Sequence, residues 1–583
     1  MGLSKIAGIA APMFLWSSIA SAELVTDGNE FQVNSYTIGQ QGGASLAPAP
    51  AGGFVAAWTA LGGQDGYGNG IFGQRFASGA VRLGSEFQIN SYTLDGQGSA
   101  AIASDAQGRF VVAWDSYEQD GAPYQGVFAQ RFDSDGQPSG SEFQVNSYTL
   151  GSQYAPAVAA TQAGSFVVAW ESYDEVAGQD GSYGGIFAQR YDSGGSPVGS
   201  EFLVNTYTEE NQFTPAVEFD AGGGFLILWA GSGPEGLRIR ARLYDSAGQP
   251  AGPQFDANDP TTASLRDPAV ARLAGGDFLA AWSHDPASFE EDIHARRFDS
   301  GGTALGTEFL VNTFTSGRQV SASVAATSDG GFAVAWQSGG EDGSGLAVMS
   351  RLYGAAGDAK GEPTRMNITT MGDQGSPTLI ETSPGRMLGA WTGDQQDGSF
   401  QGIFAVRLAP FGTVLSGKKL LIKNPAGGPS KNKLVFLSKD TTVAAPSGTA
   451  EDPRCAPFGS GTPTAGATLR LVGLGGDVSI DLPCIGWTVN ASGSEYSYRD
   501  ASGNTCKSVK LKNGNQLKAV CKGAQVAYAL GAAEGDVSLS LTMGEALHYC
   551  ATFGTSTLAD VRKDGSNGRT YKALDALAPV SCP

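Results

Sequence analysis

Short apolar segments of four to eight residues, separated by turns rich in Gly, Asp, Ser and Pro, predict an all-β fold. Two periodicities carry the prediction further. Seven Trp recur at Trp58, Trp114, Trp170, Trp229, Trp282, Trp336 and Trp391, with spacings of 56, 56, 59, 53, 54 and 55 residues. Seven Asn, at Asn34, Asn90, Asn146, Asn205, Asn258, Asn312 and Asn367, keep the same six spacings, and an Arg follows in each repeat from Arg75 to Arg407.

One repeat, residues 142–199, shows what each piece does. EFQVN reads as a short strand, SYTLGSQY as a loop, PAVAA as a second strand, TQAG as a turn, and SFVVAWES as a third strand. After a long loop, GIFAQRYD reads as a fourth strand, closed by the turn SGGSPVG. A four-stranded antiparallel unit cannot bury both faces alone, and repetition around an axis solves this by packing sheet on sheet. The expected fold is therefore a seven-bladed β-propeller over residues 27–417, followed by a small disulfide-stapled β domain over 418–583. The N-terminal strand Glu30–Asn34 is expected to complete the last blade, which would protect two sheet edges. An open solenoid or a string of sandwiches is the alternative architecture.

With PAVAA innermost and EFQVN outermost, the loops after EFQVN and after FVVAW emerge on one face. The first loop carries Gln41, Gln97, Gln153, Gln212, Gln319 and Gln374, with Leu265 in the fifth repeat. The second carries Asp65, Asp120, Asp180, Asp342 and Asp397 within QDG or EDG, while the fifth repeat has Glu290, Glu291 and Asp292. Two readings compete for these rings. Asp and Asn can cap their own turns, or the oxygens can collect calcium or hold a polar glycan. The QDG pattern lacks the DxDxDG spacing of a dense calcium loop. Tyr36, Tyr92, Tyr148, Tyr207 and Phe314 add aromatic surface on the same face. The repeated Trp is expected to pack between sheets, and the repeated Arg to bridge toward a neighbouring unit or the rim.

The chain of 583 residues carries a formal charge of -20, with 37 basic and 57 acidic residues, which argues against nucleic acid or an anionic bilayer as partner. Met1–Ala22 has a short basic start, an apolar stretch too short to span a bilayer, and a small-x-small end, the pattern of a secretory signal peptide. The mature chain is expected to lack a transmembrane segment and to be secreted or on the outer cell surface, with the periplasm as the alternative. All six Cys (Cys455, Cys484, Cys506, Cys521, Cys550 and Cys582) lie near the C-terminus without zinc-like spacing, so three disulfides are expected, in any of fifteen connectivities. Lys occurs only at Lys5 and Lys360 before Lys418 and is frequent from there on.

No GxSxG, HExxH or phosphate-binding Gly-rich motif is present. His284 and His294, near Asp285 and Asp292, mark one irregular repeat, and paired carboxylates for glycoside hydrolysis remain open among the loop acids.

The repeat xEFxVNxYTxxxQxxPAVAAxxxGxFVVAWxSxxQDGxxxGIFAQRYD resembles repeats of large secreted bacterial proteins, and their layout is similar to that of families assigned to seven-bladed propellers. SDAQGRFVVAW and SDGGFAVAW are similar to the Asp-box turn of sialidase propellers, although no arginine triad accompanies them. The Cys-containing tail is similar to modules ending uncharacterised exported proteins of Gram-negative bacteria. The expectation is a secreted or surface protein that presents one face to a glycan, a surface protein or calcium, without catalysis. The alternative is a carbohydrate-active hydrolase or lyase.

Overall fold

A computed structural model describes residues 24–26, then 30–410 apart from 175–177, 234–235, 262, 287–289, 344 and 399, and the strands with adjoining residues between 413 and 576. The expected signal peptide, Cys455, Cys484 and Cys582 lie outside the described residues, and Cys550 is described only as part of the strand Leu547–Phe553. Two compact units divide the chain, one over Glu23–Phe411 and the other from Gly412 onward.

In the first unit each repeat folds as four antiparallel strands. Repeat 3 is representative: Ser152–Ala160 pairs with Phe166–Tyr173, which pairs with Gly184–Tyr191, which pairs with Pro197–Leu203. The strand order follows the expected one, and each fourth strand comes from the EFQVN segment that begins the next repeat. For repeat 7 that segment is the N-terminal Phe31–Gln32, which pairs with Gln401–Pro410.

The closed seven-bladed propeller is corrected, and with it the resemblance to propeller repeats. Five sheets are separate and four-stranded, and repeats 1 and 7 share a nine-stranded sheet through one parallel pairing, Gln40 with Gln401. Among the described residues no sheet closes on itself. The physical reason is that neighbouring repeats meet largely through side chains rather than through a continuous hydrogen-bond ladder, so the periodicity specifies the four-stranded repeats and not the closure of their sheets. First strands pack against one another in repeat order, and those of repeats 7 and 1 also touch.

The repeated Trp supplies this packing. All seven are fully buried. Trp114 packs with Val55, Ala57 and Ile71 of repeat 1, Trp170 with Val111 and Ala113 of repeat 2, and Trp58 with Leu388 and Ala390 of repeat 7. The repeated Arg adds polar bridges between repeats. Arg75 donates to the Asp135 carbonyl, Arg190 to Ser246 at 2.7 Å, Arg242 to Val204 at 2.8 Å and Arg351 to Val311 at 2.9 Å.

A buried amide finishes each sheet. Where the outer strand is only two residues long, as in Phe143–Gln144, the following Asn continues the pairing with its side chain. Oδ1 of Asn90, Asn146, Asn205, Asn258, Asn312, Asn367 and Asn34 accepts a backbone N–H of the third strand at 2.7–3.0 Å.

From Gly412 the chain builds a five-stranded and an eight-stranded sheet. Alternating inward residues of the two, including Leu469, Ile480 and Leu539 from one and Leu420, Phe436 and Val509 from the other, form one core. Cys506 and Cys521 sit opposite each other on paired strands and form a buried disulfide.

Truncating Trp170 to Ala is expected to cost about 3–5 kcal/mol, and Asn146 to Ala about 1–3 kcal/mol because the Val127 N–H loses its acceptor. Denaturant unfolding checks both, and an unchanged midpoint for either variant would remove its role. Replacing Cys506 and Cys521 by Ser releases a 15-residue separation and is expected to cost roughly 3 kcal/mol in the C-terminal unit, read by hydrogen exchange of the strands Cys506–Lys512 and Gln516–Lys522.

Candidate functional site

The Gln ring is buried. Gln41, Gln97, Gln153 and Gln374 accept from the repeated Asn at 2.9–3.1 Å and donate to a loop carbonyl three residues back. Gln212 and Gln319 instead accept from Trp229 and Trp336, at 3.0 and 3.2 Å. The switch has a local cause: in these two repeats Asn205 and Asn312 donate to Asp180 and Asp292, leaving the Gln oxygen to the indole.

The QDG acids sit in their own turns. Asp65, Asp120 and Asp180 each accept the N–H two residues on, at 3.0–3.1 Å. Asp397 and Asp120 also take an amide from the outer-strand residues Gln32 and Gln144. Asp342 occupies the equivalent turn and has one carboxylate oxygen buried. Among the described residues no three His, Cys, Asp or Glu gather as a metal site, and no helix is long and apolar enough to cross a membrane.

A second ring was not legible as a motif. In every repeat the first strand bulges at a residue with positive φ: Gly43, Ser99, Ala155, Thr214, Asp267, Ser321 and Ser376, with φ between 49° and 63°. Six of these seven are not Gly, a backbone state that concentrates at functional positions. Pro156, Pro215, Pro268 and Pro377 follow directly, where the bulge requires no ladder N–H.

The bulge N–H faces the residue after the Trp of the preceding repeat. Gly43 donates to Thr392 at 3.3 Å, Thr214 to Glu171 at 3.4 Å, Ser321 to Ser283 at 3.2 Å and Ser376 to Gln337 at 3.3 Å. Ala155 donates to Asp115 in the same way. The residue after Trp is thus Thr59, Asp115, Glu171, Ala230, Ser283, Gln337 and Thr392 in turn. Its variation inside a constant frame is the signal that could have exposed the ring.

Chemistry concentrates where this position is acidic. Asp115 and Glu171 are both 5 % exposed. Glu171 accepts the Tyr154 hydroxyl at 2.6 Å, and Tyr154 adjoins Ala155, whose N–H holds Asp115. Burial pushes Glu171 up to about 7 against the opposing pull of the Tyr154 and Thr214 donors. Burial also raises Asp115, opposed by Ser99, Ala155 and Gln125. Tyr154 is raised by burial and by its bond to Glu171, with Asp115 adding negative field. Asp115, Tyr154 and Glu171 therefore form one cluster spanning repeats 2 and 3, with Glu171 held protonated up to about 7 and Asp115 as a second carboxyl raised by burial.

Repeats 5 and 6 have the opposite electrostatics. Glu291 is buried between Arg266 and Arg318, the latter at 3.0 Å. His284 stacks on His294 with ring centres 4.4 Å apart, and His294 bonds Glu308. Burial, followed by the His294 field, lowers His284. A cavity of about 370 Å³ lined by Pro50, Phe54, Arg75 and Leu83 lies at the turn end of repeats 1 and 2, away from the Asp115–Glu171 cluster.

These features define an all-β, repeat-built protein with one acidic cluster at the loop ends of its strands. No protein family matches the chain, and no curated protein does. Among solved structures it is similar to a protein of unknown function from Dyadobacter fermentans, at 12% identity over 66% of this chain and 99% of the other, with a TM-score of 0.44. It is also similar to an ulvan lyase of polysaccharide lyase family PL25, at 8% identity over 65% of this chain and 95% of that one, TM-score 0.41. A third is the Penicillium chrysogenum α-L-arabinanase, at 12% identity over 52% and 92%, TM-score 0.38. The likeness to carbohydrate-active β-fold enzymes is thus weak and partial.

The raised Glu171 gives a pH signature with a definite sign. Between the ordinary carboxyl range and about 7 the folded protein holds a proton that the unfolded chain has released, so stability falls as pH rises through this window, by about 1.4 kcal/mol per unit of raised pKa. Glu171→Gln removes the titration. Its stability relative to wild type is expected to improve from pH 5 to pH 8 in denaturant melts, and a pH-independent difference would refute the assignment.

Proposed function

We propose that the repeat unit is an exported carbohydrate-active enzyme that hydrolyses glycosidic bonds, with Glu171 as general acid and Asp115 as general base. The observation that supports this is the buried Asp115–Tyr154–Glu171 cluster, in which one carboxyl is held neutral up to about 7. Glu171 gives its proton to the departing glycosidic oxygen. Asp115, whose carboxylate form is favoured by Ser99, Ala155 and Gln125 against the opposing effect of burial, draws a proton from the water that attacks the anomeric carbon. Tyr154 orients Glu171, and the hydrogen-bonded bulges fix both acids relative to the backbone.

Reducing-end release from a panel of polysaccharides tests the reading. Glu171→Gln and Asp115→Asn are each expected to lose about 10²–10⁴-fold in rate while keeping their fold, and wild-type activity should fall above pH 7 as Glu171 ionises. The proposal fails if wild type releases no reducing ends from any polymer between pH 4 and 8, or if both variants retain wild-type rates.

A further inference from the structure

The loop face carries exposed apolar side chains that the turns do not need. In the loops entering repeats 1, 2, 3 and 7, Ile38, Leu94, Leu150 and Met371 are 55–73% exposed. In the QDG loops, Tyr67, Tyr124, Tyr183 and Phe400 are 45–64% exposed. These eight residues belong to repeats 7, 1, 2 and 3, which are consecutive neighbours because repeats 7 and 1 share a sheet. The two loop sets meet along the face, as the bridge from Asn69 to Gly96 and the pairing of Gln401 with Gln40 join a QDG loop to the next entering loop.

The molecule contains its own control. In repeat 6 the buried Gln319 holds the Ser316 carbonyl as Gln97 holds that of Leu94 and Gln374 that of Met371. The same turn forms on an exposed Ser, and repeat 4 has the exposed Glu209 there. Apolar side chains at the other four positions are therefore not required by the turn, and their exposure costs solvation without packing in return.

We propose that this rim of repeats 7, 1, 2 and 3 binds an extended neutral polysaccharide. The inference rests on the carbohydrate reading above and deepens it by naming the substrate class. Four rings recurring once per repeat suit a polymer of repeating rings, whose C–H faces stack on aromatic side chains while hydroxyls bond to carboxylates and amides. Contacts that are individually weak gain from repetition along one chain. Charge selects within the class. The eight loop segments contain no Lys or Arg and carry Asp65, Asp95, Asp120 and Asp180 among their acids, so a polyuronate is repelled and has no cation to pair with. The same charge disfavours an anionic bilayer. The rim and the Asp115–Glu171 cluster lie at the same end of the strands, since Asp115 and Glu171 stand two residues before the ends of Phe110–Tyr117 and Phe166–Tyr173, where the QDG loops begin.

Affinity electrophoresis of the full chain, carrying Glu171→Gln to prevent cleavage, tests the rim with β-glucan, galactomannan and polygalacturonate. Retardation by at least one neutral polymer and none by polygalacturonate is expected. Combining Leu94→Ser, Leu150→Ser, Tyr124→Ser and Tyr183→Ser should weaken that retardation at least tenfold with an unchanged melting temperature. The proposal is overturned if neither neutral polymer retards the protein, if polygalacturonate retards it equally, or if the four substitutions leave retardation unchanged. It is also overturned if they abolish self-association or binding to phosphatidylcholine vesicles but not polymer binding. Wild-type cleavage separates the two ideas: retardation without cleavage sinks the catalytic reading alone, and cleavage that survives the four substitutions with unchanged KM sinks the rim alone.

Discussion

Most of the repeat region depends on a buried amide at the end of a very short strand. An outer strand of two residues has too few ladder bonds to fix its position, and the Asn that follows supplies the missing acceptor from its side chain. Because that Asn is buried, its NH₂ must also be satisfied, and it bonds a loop carbonyl together with either the buried Gln or an acid. The loop is thereby held at both ends. A carboxylate completes the arrangement: Glu86 accepts from Ser35 and from Gln64, joining the two loops of one repeat, and Glu142 and Glu201 do the same in the next two. Rigid loop pairs result, and their side chains become a surface of fixed spacing.

The bulge of the first strand plays the same part on the inner side. It turns a backbone N–H out of the ladder and toward the preceding repeat, so that an acceptor side chain after the Trp, as in Thr392, Glu171, Ser283 and Gln337, receives a donor. The chemical outcome depends on the residue supplied. Thr392 and Ser283 make a neutral bond between repeats, whereas Asp115 and Glu171 place carboxyls where burial outweighs the donors and raises both. Glu291, equally buried, lies between two guanidinium groups. One architecture thus contains an acid held neutral and an acid held in ion pairs, and the difference is the presence of Arg266 and Arg318.

Much of the local structure could be read in advance. Strand positions, their order within a repeat, the packing role of Trp and the bridging role of Arg all follow from patterns within about fifty residues, where periodicity and turn chemistry act. The site was less legible. Asp115 and Glu171 look like ordinary residues after a Trp, and the bulge that makes them a cluster appears in the sequence only as a few Pro. The loop Tyr expected to supply aromatic surface, Tyr36, Tyr92 and Tyr148, are partly buried and lend their carbonyls to Asn, while the exposed rings are those of Tyr67, Tyr124 and Tyr183.

By itself the sequence determined that this chain is built of seven similar all-β repeats and a Lys-rich tail containing every Cys, because strand periodicity and turn residues are local properties. Tertiary structure alone decided that the sheets stay open, that Cys506 pairs with Cys521, and that two acids 56 positions apart share one Tyr-centred cluster. Closure, pairing and pKa depend on which surfaces meet and how far water is excluded between them, and those quantities exist only once the repeats have packed.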